Sequence, residues 1–162
     1  MAEKTLDNLF EDTLRDIYYA ERQILKALPK MAKAANSEQL AQGFETHRQE
    51  TEVHVERLEQ IFEMLGKRPR GKTCDAILGI IEEGKEIMED YKDAVALDAG
   101  LAAAAQAVEH YEIARYGTLA TWAKQLGMSD AAELLGQTLA EEKASDEKLS
   151  KLAETEANPK AA

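Results

Sequence analysis

Glu109 and Glu112 stand three residues apart in the segment Val108-Glu109-His110-Tyr111-Glu112-Ile113-Ala114-Arg115-Tyr116. At that spacing two helical side chains share a face. Ala105, Val108 and Tyr116 lie on the same face, so two carboxylates sit on an otherwise apolar stripe. Three more acids are placed in the same way. Glu21 has Ile17, Tyr18, Ile24 and Leu25 one turn away, Glu50 has Thr46, His47, Val53 and His54, and Glu142 has Thr138, Leu139, Ser145 and Asp146. None of these three has a Lys or Arg in salt-bridge register on its own helix. Burying five or six unpaired carboxylates at one level would cost more than the roughly 5–15 kcal/mol that stabilises a domain. If the stripes face inward, cations must be bound among them, or several acids must stay protonated. Carboxylate and imidazole donors suit hard or borderline divalent metals. The competing reading is the ordinary one for glutamate, a solvated residue at a helix edge.

His54 follows Glu50 by four residues and Asp146 follows Glu142 by four, which keeps each pair within one turn. The expected ligands are therefore Glu21, Glu50, His54, Glu109, Glu112, Glu142 and Asp146. His47 is a second choice to His54. His110 points about 100° away from either neighbouring acid and is set aside. Tyr18 and Tyr111 could donate hydrogen bonds from outside the ligands or simply pack. Cys74 carries no catalytic signature.

Four long helices must position these groups. Thr5 can cap the first, whose stripe of Leu6, Phe10, Leu14, Ile17, Ile24, Leu28 and Met31 runs to about Ala35, with a kink or a tolerated bend expected at Pro29. Asn36-Ser37-Glu38-Gln39 reads as a break with a capping box opening the second helix, which stops at Gly66. A shorter third helix from Asp75 to about Tyr91 has no acid in its stripe and reads as a crossover connection. The central helix starts near Asp98-Ala99-Gly100 and runs to about Leu126. Gly127 ends it and Ser129 is expected to cap the last helix. One domain over residues 1–155 and a frayed tail over 156–162 are expected.

The chain also repeats itself. Met31-Ala32-Lys33 matches Trp122-Ala123-Lys124 at an offset of 91. With a one-residue insertion at Met128, Ser37-Glu38 matches Ser129-Asp130 at an offset of 92. This alignment sets Glu21 on Glu112, Tyr18 on Glu109, Glu50 on Glu142, His54 on Asp146 and His47 on Leu139. The first and central helices then form one equivalent pair and the second and last form the other.

Composition limits the remaining classes. No window alternates β-branched residues at period two, so the chain is expected to be all-α. Acidic residues number 31 against 20 basic ones, a net charge of −11, which argues against a nucleic-acid surface. A single cysteine excludes an internal disulfide framework. No apolar run is long enough to span a membrane and the start lacks a signal sequence, so a cytoplasmic location is the expectation. Gly66 to Thr73 spells the phosphate-loop pattern. Its mechanism requires a strand feeding the loop, and a long amphipathic helix precedes it here, so it reads as a basic inter-helix connection.

Inward Glu and Glu-x-x-His residues from four helices are the donor set of ferritin-like di-metal bundles. More closely, the chain from about Leu6 to Leu152 resembles the YciF-like family of bacterial stress-associated proteins. The likeness is carried by Tyr19-Ala20-Glu21-Arg22-Gln23, Val108-Glu109-His110-Tyr111-Glu112-Ile113-Ala114 and Tyr116-Gly117-Thr118-Leu119-Ala120-Thr121. The resemblance implies a rubrerythrin-like four-helix fold, a homodimer and a di-iron or di-manganese centre. It implies bridging roles for Glu21 and Glu112, carboxylate ligands at Glu50 and Glu142, and an extra ligand at Glu109. Here Glu50-x-x-x-His54 and Glu142-x-x-x-Asp146 replace the usual Glu-x-x-His spacing, giving a more acidic, nitrogen-poor site to which manganese is as suited as iron. The expected function is a di-metal protein acting on oxygen or peroxide under stress. The alternative is a non-enzymatic bundle stabilised by metal.

Overall fold

Apolar residues at helical spacing bury one stripe of each long helix, and the stripes meet along a common axis. A computed structural model describes residues 2–162. Helix α1 (Leu6–Ala34) buries Phe10, Leu14, Ile17, Ile24 and Leu28; α2 (Glu38–Met64) buries Leu40, Phe44, Leu58 and Ile61. After α3 (Asp75–Asp90), α4 (Leu97–Gln125) contributes Leu101, Ala105 and Leu119, and α5 (Ser129–Leu152) contributes Ala131, Leu135 and Leu149. Helices α1 and α2 pair across a short turn, as do α4 and α5. The two hairpins meet through α1 against α4 and α2 against α5, while α3 lies across α1 and α4. The fold is a four-helix bundle with a crossover helix, and no strand occurs among the described residues.

The helix ends show how the turns are set. Gly66 and Gly127 adopt φ of 67° and 73°, the left-handed conformation that closes a helix and that a side chain disfavours. Asn8 accepts from the Thr5 amide at 2.9 Å. Ser37 caps α2 by accepting from the Leu40 amide at 3.3 Å. The buried Asp98 accepts from both the Asn36 and Ser37 amides at 2.8 Å, so the start of α4 holds the α1–α2 turn. Ser129 is the first residue of α5, not its cap. Pro29 is exposed and α1 runs through it to Ala34, because the carbonyl it leaves unpaired can turn to water.

Two expectations are corrected. The segment 156–162, expected to fray, is largely helical: a π-helical turn over Ala153–Ala157 leads into α6 (Asn158–Ala161). Ala153 and Ala157 are buried, and Glu156 accepts from the Ser37 hydroxyl at 2.9 Å, which ties this segment to the α1–α2 turn. The insertion at Met128 is absent. Helix α4 spans Leu97–Gln125 where α1 spans Leu6–Ala34, and α5 starts at Ser129 where α2 starts at Glu38, so a constant offset of 91 residues relates both pairs. At that offset the buried His47, Thr51 and His54 fall on the buried Thr138, Glu142 and Ser145.

Candidate metal centre

Midway along the bundle the apolar stripes are interrupted by acids and histidines on all four long helices. Glu21 (α1), His54 (α2), Glu112 (α4) and Glu142 (α5) are fully buried, Glu109 is 2% exposed and His47 is 7% exposed. They form two groups whose donor atoms lie within 4.8 Å of one another. One is His47, Glu109, Glu112 and Glu142; the other is Glu21, His54 and Glu142. Glu142 belongs to both. The rings of His47 and His54 are 6.4 Å apart.

Each histidine turns one nitrogen inward and ties the other outside. His54 Nε2 lies 2.9 Å from the Glu141 carboxylate, which Arg57 holds with both of its terminal nitrogens. A carboxylate can only accept, so Nε2 carries the proton, and the neutral ring presents a lone pair at Nδ1. That nitrogen faces Glu142 Oε1 at 2.9 Å and Glu21 Oε2 at 3.4 Å. His47 repeats the pattern with the other nitrogen. Ser145 donates to Glu50 at 3.2 Å and its oxygen lies 3.2 Å from His47 Nδ1. The ring then donates from Nδ1, and Nε2 faces Glu109 Oε1 at 3.0 Å.

Lone pairs facing carboxylate oxygens repel unless a proton or a metal ion lies between them. Among the described residues, nine of the eleven buried side-chain atoms without a hydrogen-bond partner belong to these six residues, and the Tyr116 hydroxyl beside them is a tenth, so the unmet polarity is concentrated at this level. Without metal, protons must supply the cation. Burial opposes charging His54, but Glu142 and Glu21 outweigh it and raise the ring to about 10. Burial likewise opposes His47, and Glu50 and Glu109 raise it. Glu109 is pushed up to about 11, by burial first and then by Glu142. Burial also raises Glu142.

The placement of the expected ligands is mixed. Glu21, His54, Glu109, Glu112 and Glu142 converge. Glu50 does not: its side chain is 30% exposed and it sits behind His47, because position 50 lies at the edge of the face on which His47, Thr51 and His54 are buried. Asp146 turns away toward α4, where it meets Gln106 at 3.3 Å and the exposed His110 at 3.1 Å. His47, set below His54 on the assumed repeat, is in the cluster. Nothing in a single helix's pattern marks Glu141 and Ser145, since both act through residues of α2. The Gly66–Thr73 segment is an irregular connection between helices, with Lys67 paired to Glu11.

Six residues, four glutamates and two histidines, could therefore hold two divalent ions, and their four negative charges would balance two such ions. The donor tally is that of the ferritin-like bundles, reached by other positions. Thr51 stands where a Glu-x-x-His54 motif would carry its acid, and Ser145 stands where a Glu142-x-x-His motif would carry its imidazole.

Comparison with known proteins agrees with this architecture. The profile of a family described as "Domain of unknown function (DUF892)" matches residues 5–162. Protein YciF of Escherichia coli K12 is 47% identical over 159 residues, covering 98% of this chain and 96% of that protein. The crystal structure of the E. coli stress protein YciF superposes with a TM-score of 0.91 at 46% identity, over 96% of this chain and 99% of that one. YcfI of Rhodopseudomonas palustris, described as a candidate structural protein, gives a TM-score of 0.88 at 50% identity over 91% and 94%. A Xanthomonas campestris protein at 22% identity and TM-score 0.68 shares the fold.

Proposed function

The chain belongs to the YciF-like family, whose domain is described as of unknown function (DUF892), and from that premise we propose that it is a di-metal carboxylate protein acting on oxygen or peroxide. His47, Glu109, Glu112 and Glu142 would hold one ion, and Glu21, His54 and Glu142 the other. Glu142, common to both groups, would help to hold both ions. Iron or manganese fits a set of oxygen donors with one imidazole per ion, and when bound such a pair supplies redox equivalents for oxidant chemistry.

The observation that carries the reading is the inward ring nitrogen of each histidine, aimed at buried carboxylates while the other nitrogen is tied outside, His54 to Glu141 and His47 to Ser145. Glu141 orients His54, and Glu50 with Ser145 orients His47, as outer partners do for metal-binding imidazoles. Burial excludes bulk water and strengthens every charge interaction at this level. Tyr116, 1% exposed with its hydroxyl unpartnered, would hold a proton beside Glu21 and Glu142. The accompanying expectations are a homodimer in the cytoplasm that contacts neither nucleic acid nor membrane.

The test is metal analysis of protein purified without chelator and reconstituted with iron or manganese, followed by peroxide consumption. Two ions per chain with turnover are expected; fewer than about one ion per two chains ends the proposal. The second reading, a metal-stabilised bundle without activity, is favoured by the amount of unmet polarity that ions would satisfy. Metal-dependent stabilisation with no turnover of oxygen or peroxide selects it.

A further inference from the structure

A cavity of about 670 Å³ opens beside the acid level. Its volume falls in the range of small-molecule pockets, roughly 300–1,000 Å³. The floor is apolar, with Ile24, Phe44, Ala105 and Leu149 among its residues, and His47, Glu50 and Glu109 form the end nearest the acids. Small residues make the space: Gly43, Ala27 and Ala104 line it where larger side chains would fill it.

The rim has the opposite charge to the rest of the molecule. Lys26, Lys30, Lys85, Lys148 and Lys151 line this cavity in a chain of net charge −11. Only Lys85 is paired, with Glu82 at 3.5 Å. The other four have no acid within 4.0 Å among the described residues, although Lys148 is near enough to Glu50 to help hold its carboxyl low, a smaller effect than that of His47, which lowers it against burial. Unpaired ammonium groups around an apolar hollow match one ligand chemistry, an apolar body with a single anionic head.

We infer that this cavity binds an amphipathic carboxylate, with the chain on the apolar floor and the head on the rim lysines. Electrostatic complementarity selects the anion, and the buried apolar surface supplies the affinity. A bound chain would lie against His47 and Glu109. The site extends past the metal reading and does not require it.

The probe is laurate, titrated calorimetrically below its micelle concentration into metal-free protein, with dodecanol and dodecyltrimethylammonium as neutral and cationic comparisons. Testing without metal separates failure here from failure of the metal centre. One laurate per chain is expected, bound about tenfold more tightly than the cation. Two double variants, Lys26→Gln/Lys30→Gln and Lys148→Gln/Lys151→Gln, change exposed side chains only. At least one should weaken laurate about fivefold, and it identifies the mouth that receives the head. Gly43→Leu should fold, since a Cβ there meets no atom within 4 Å, and should weaken laurate by partly filling the hollow. Equal binding of anion and cation, unchanged affinity in all three variants, or no laurate binding overturns the inference. In the last case, a stable dimer by light scattering would assign the face to a second copy of the chain.

Discussion

His54 and His47 both aim one ring nitrogen at the buried acids and tie the other outside, yet the two ties differ in rigidity and access. His54 is fully buried, and its outer partner Glu141 is gripped by Arg57 through two nitrogens. His47 abuts the cavity, and its outer partner Glu50 is held by one serine hydroxyl. Arg57 holds the Glu141 carboxyl below its ordinary range, against the smaller opposing effect of burial. The same donor chemistry is thus built once as an enclosed position and once as a position with an approach. The group around His54 is suited to retaining an ion, and the one around His47 to meeting a small molecule.

The comparison can be broken at its shared member first. Glu142→Gln should lower affinity at both positions by roughly a hundredfold or more, beyond the cost of losing an outer partner, and metal analysis should then find fewer than two ions per chain. A loss confined to one position would show that Glu142 serves a single ion. The outer partners come next. Glu141→Ala and Glu50→Ala should each weaken metal binding by roughly 10–100-fold, with Glu141 at the upper end because its carboxylate is the better fixed. Equal effects in calorimetric titrations would show that the unequal ties have no consequence.

Stability supplies a third test, in which the sign depends on metal. Glu112→Gln removes a buried, unpartnered carboxylate, so metal-free protein should gain stability, by roughly 1–4 kcal/mol at most. Metal-loaded protein should lose it, and denaturant melts with and without metal would expose the reversal. The pH dependence has the same character. Folded metal-free protein keeps a proton on His54 up to about 10, against an ordinary 6.5, and on Glu109 up to about 11, against 4.5. Raised values mean stability that is full below the ordinary value and lost as pH rises through the shifted one. Metal-free protein should therefore weaken progressively from mild acid into alkali. Metal binding displaces these protons and should strengthen as pH rises over the lower part of that span. The smallest effect belongs to Asp146→Asn, outside both positions, which should leave metal affinity within about twofold and stability within about 0.5 kcal/mol.

Much of this centre was legible in the residues because a helix converts spacing into a face. Glu21, Glu109, Glu112 and Glu142 each interrupt an apolar stripe, and such stripes point inward whatever the partner. Glu50 and Asp146 show the resolution of that argument. Each lies at the margin of its stripe, where packing against the neighbouring helix decides between core and rim. The assumed insertion at Met128 compounded the error by pairing Glu50 with Glu142 and His47 with Leu139. At the constant offset, His47 pairs with Thr138 and Thr51 with Glu142, and all four are buried.

The all-helical class, the four long helices with their crossover, and the acids set among apolar residues are all readable along one chain, because they depend on local propensity and periodicity. Packing of the helices sets the rest: Glu142 is shared between two groups, His47 joins them, and Glu141 and Ser145 fix the two imidazoles. It also creates a hollow whose rim lysines come from α1, α3 and α5, which no spacing connects. Those properties depend on distances between side chains of different helices, which exist only after the helices have packed.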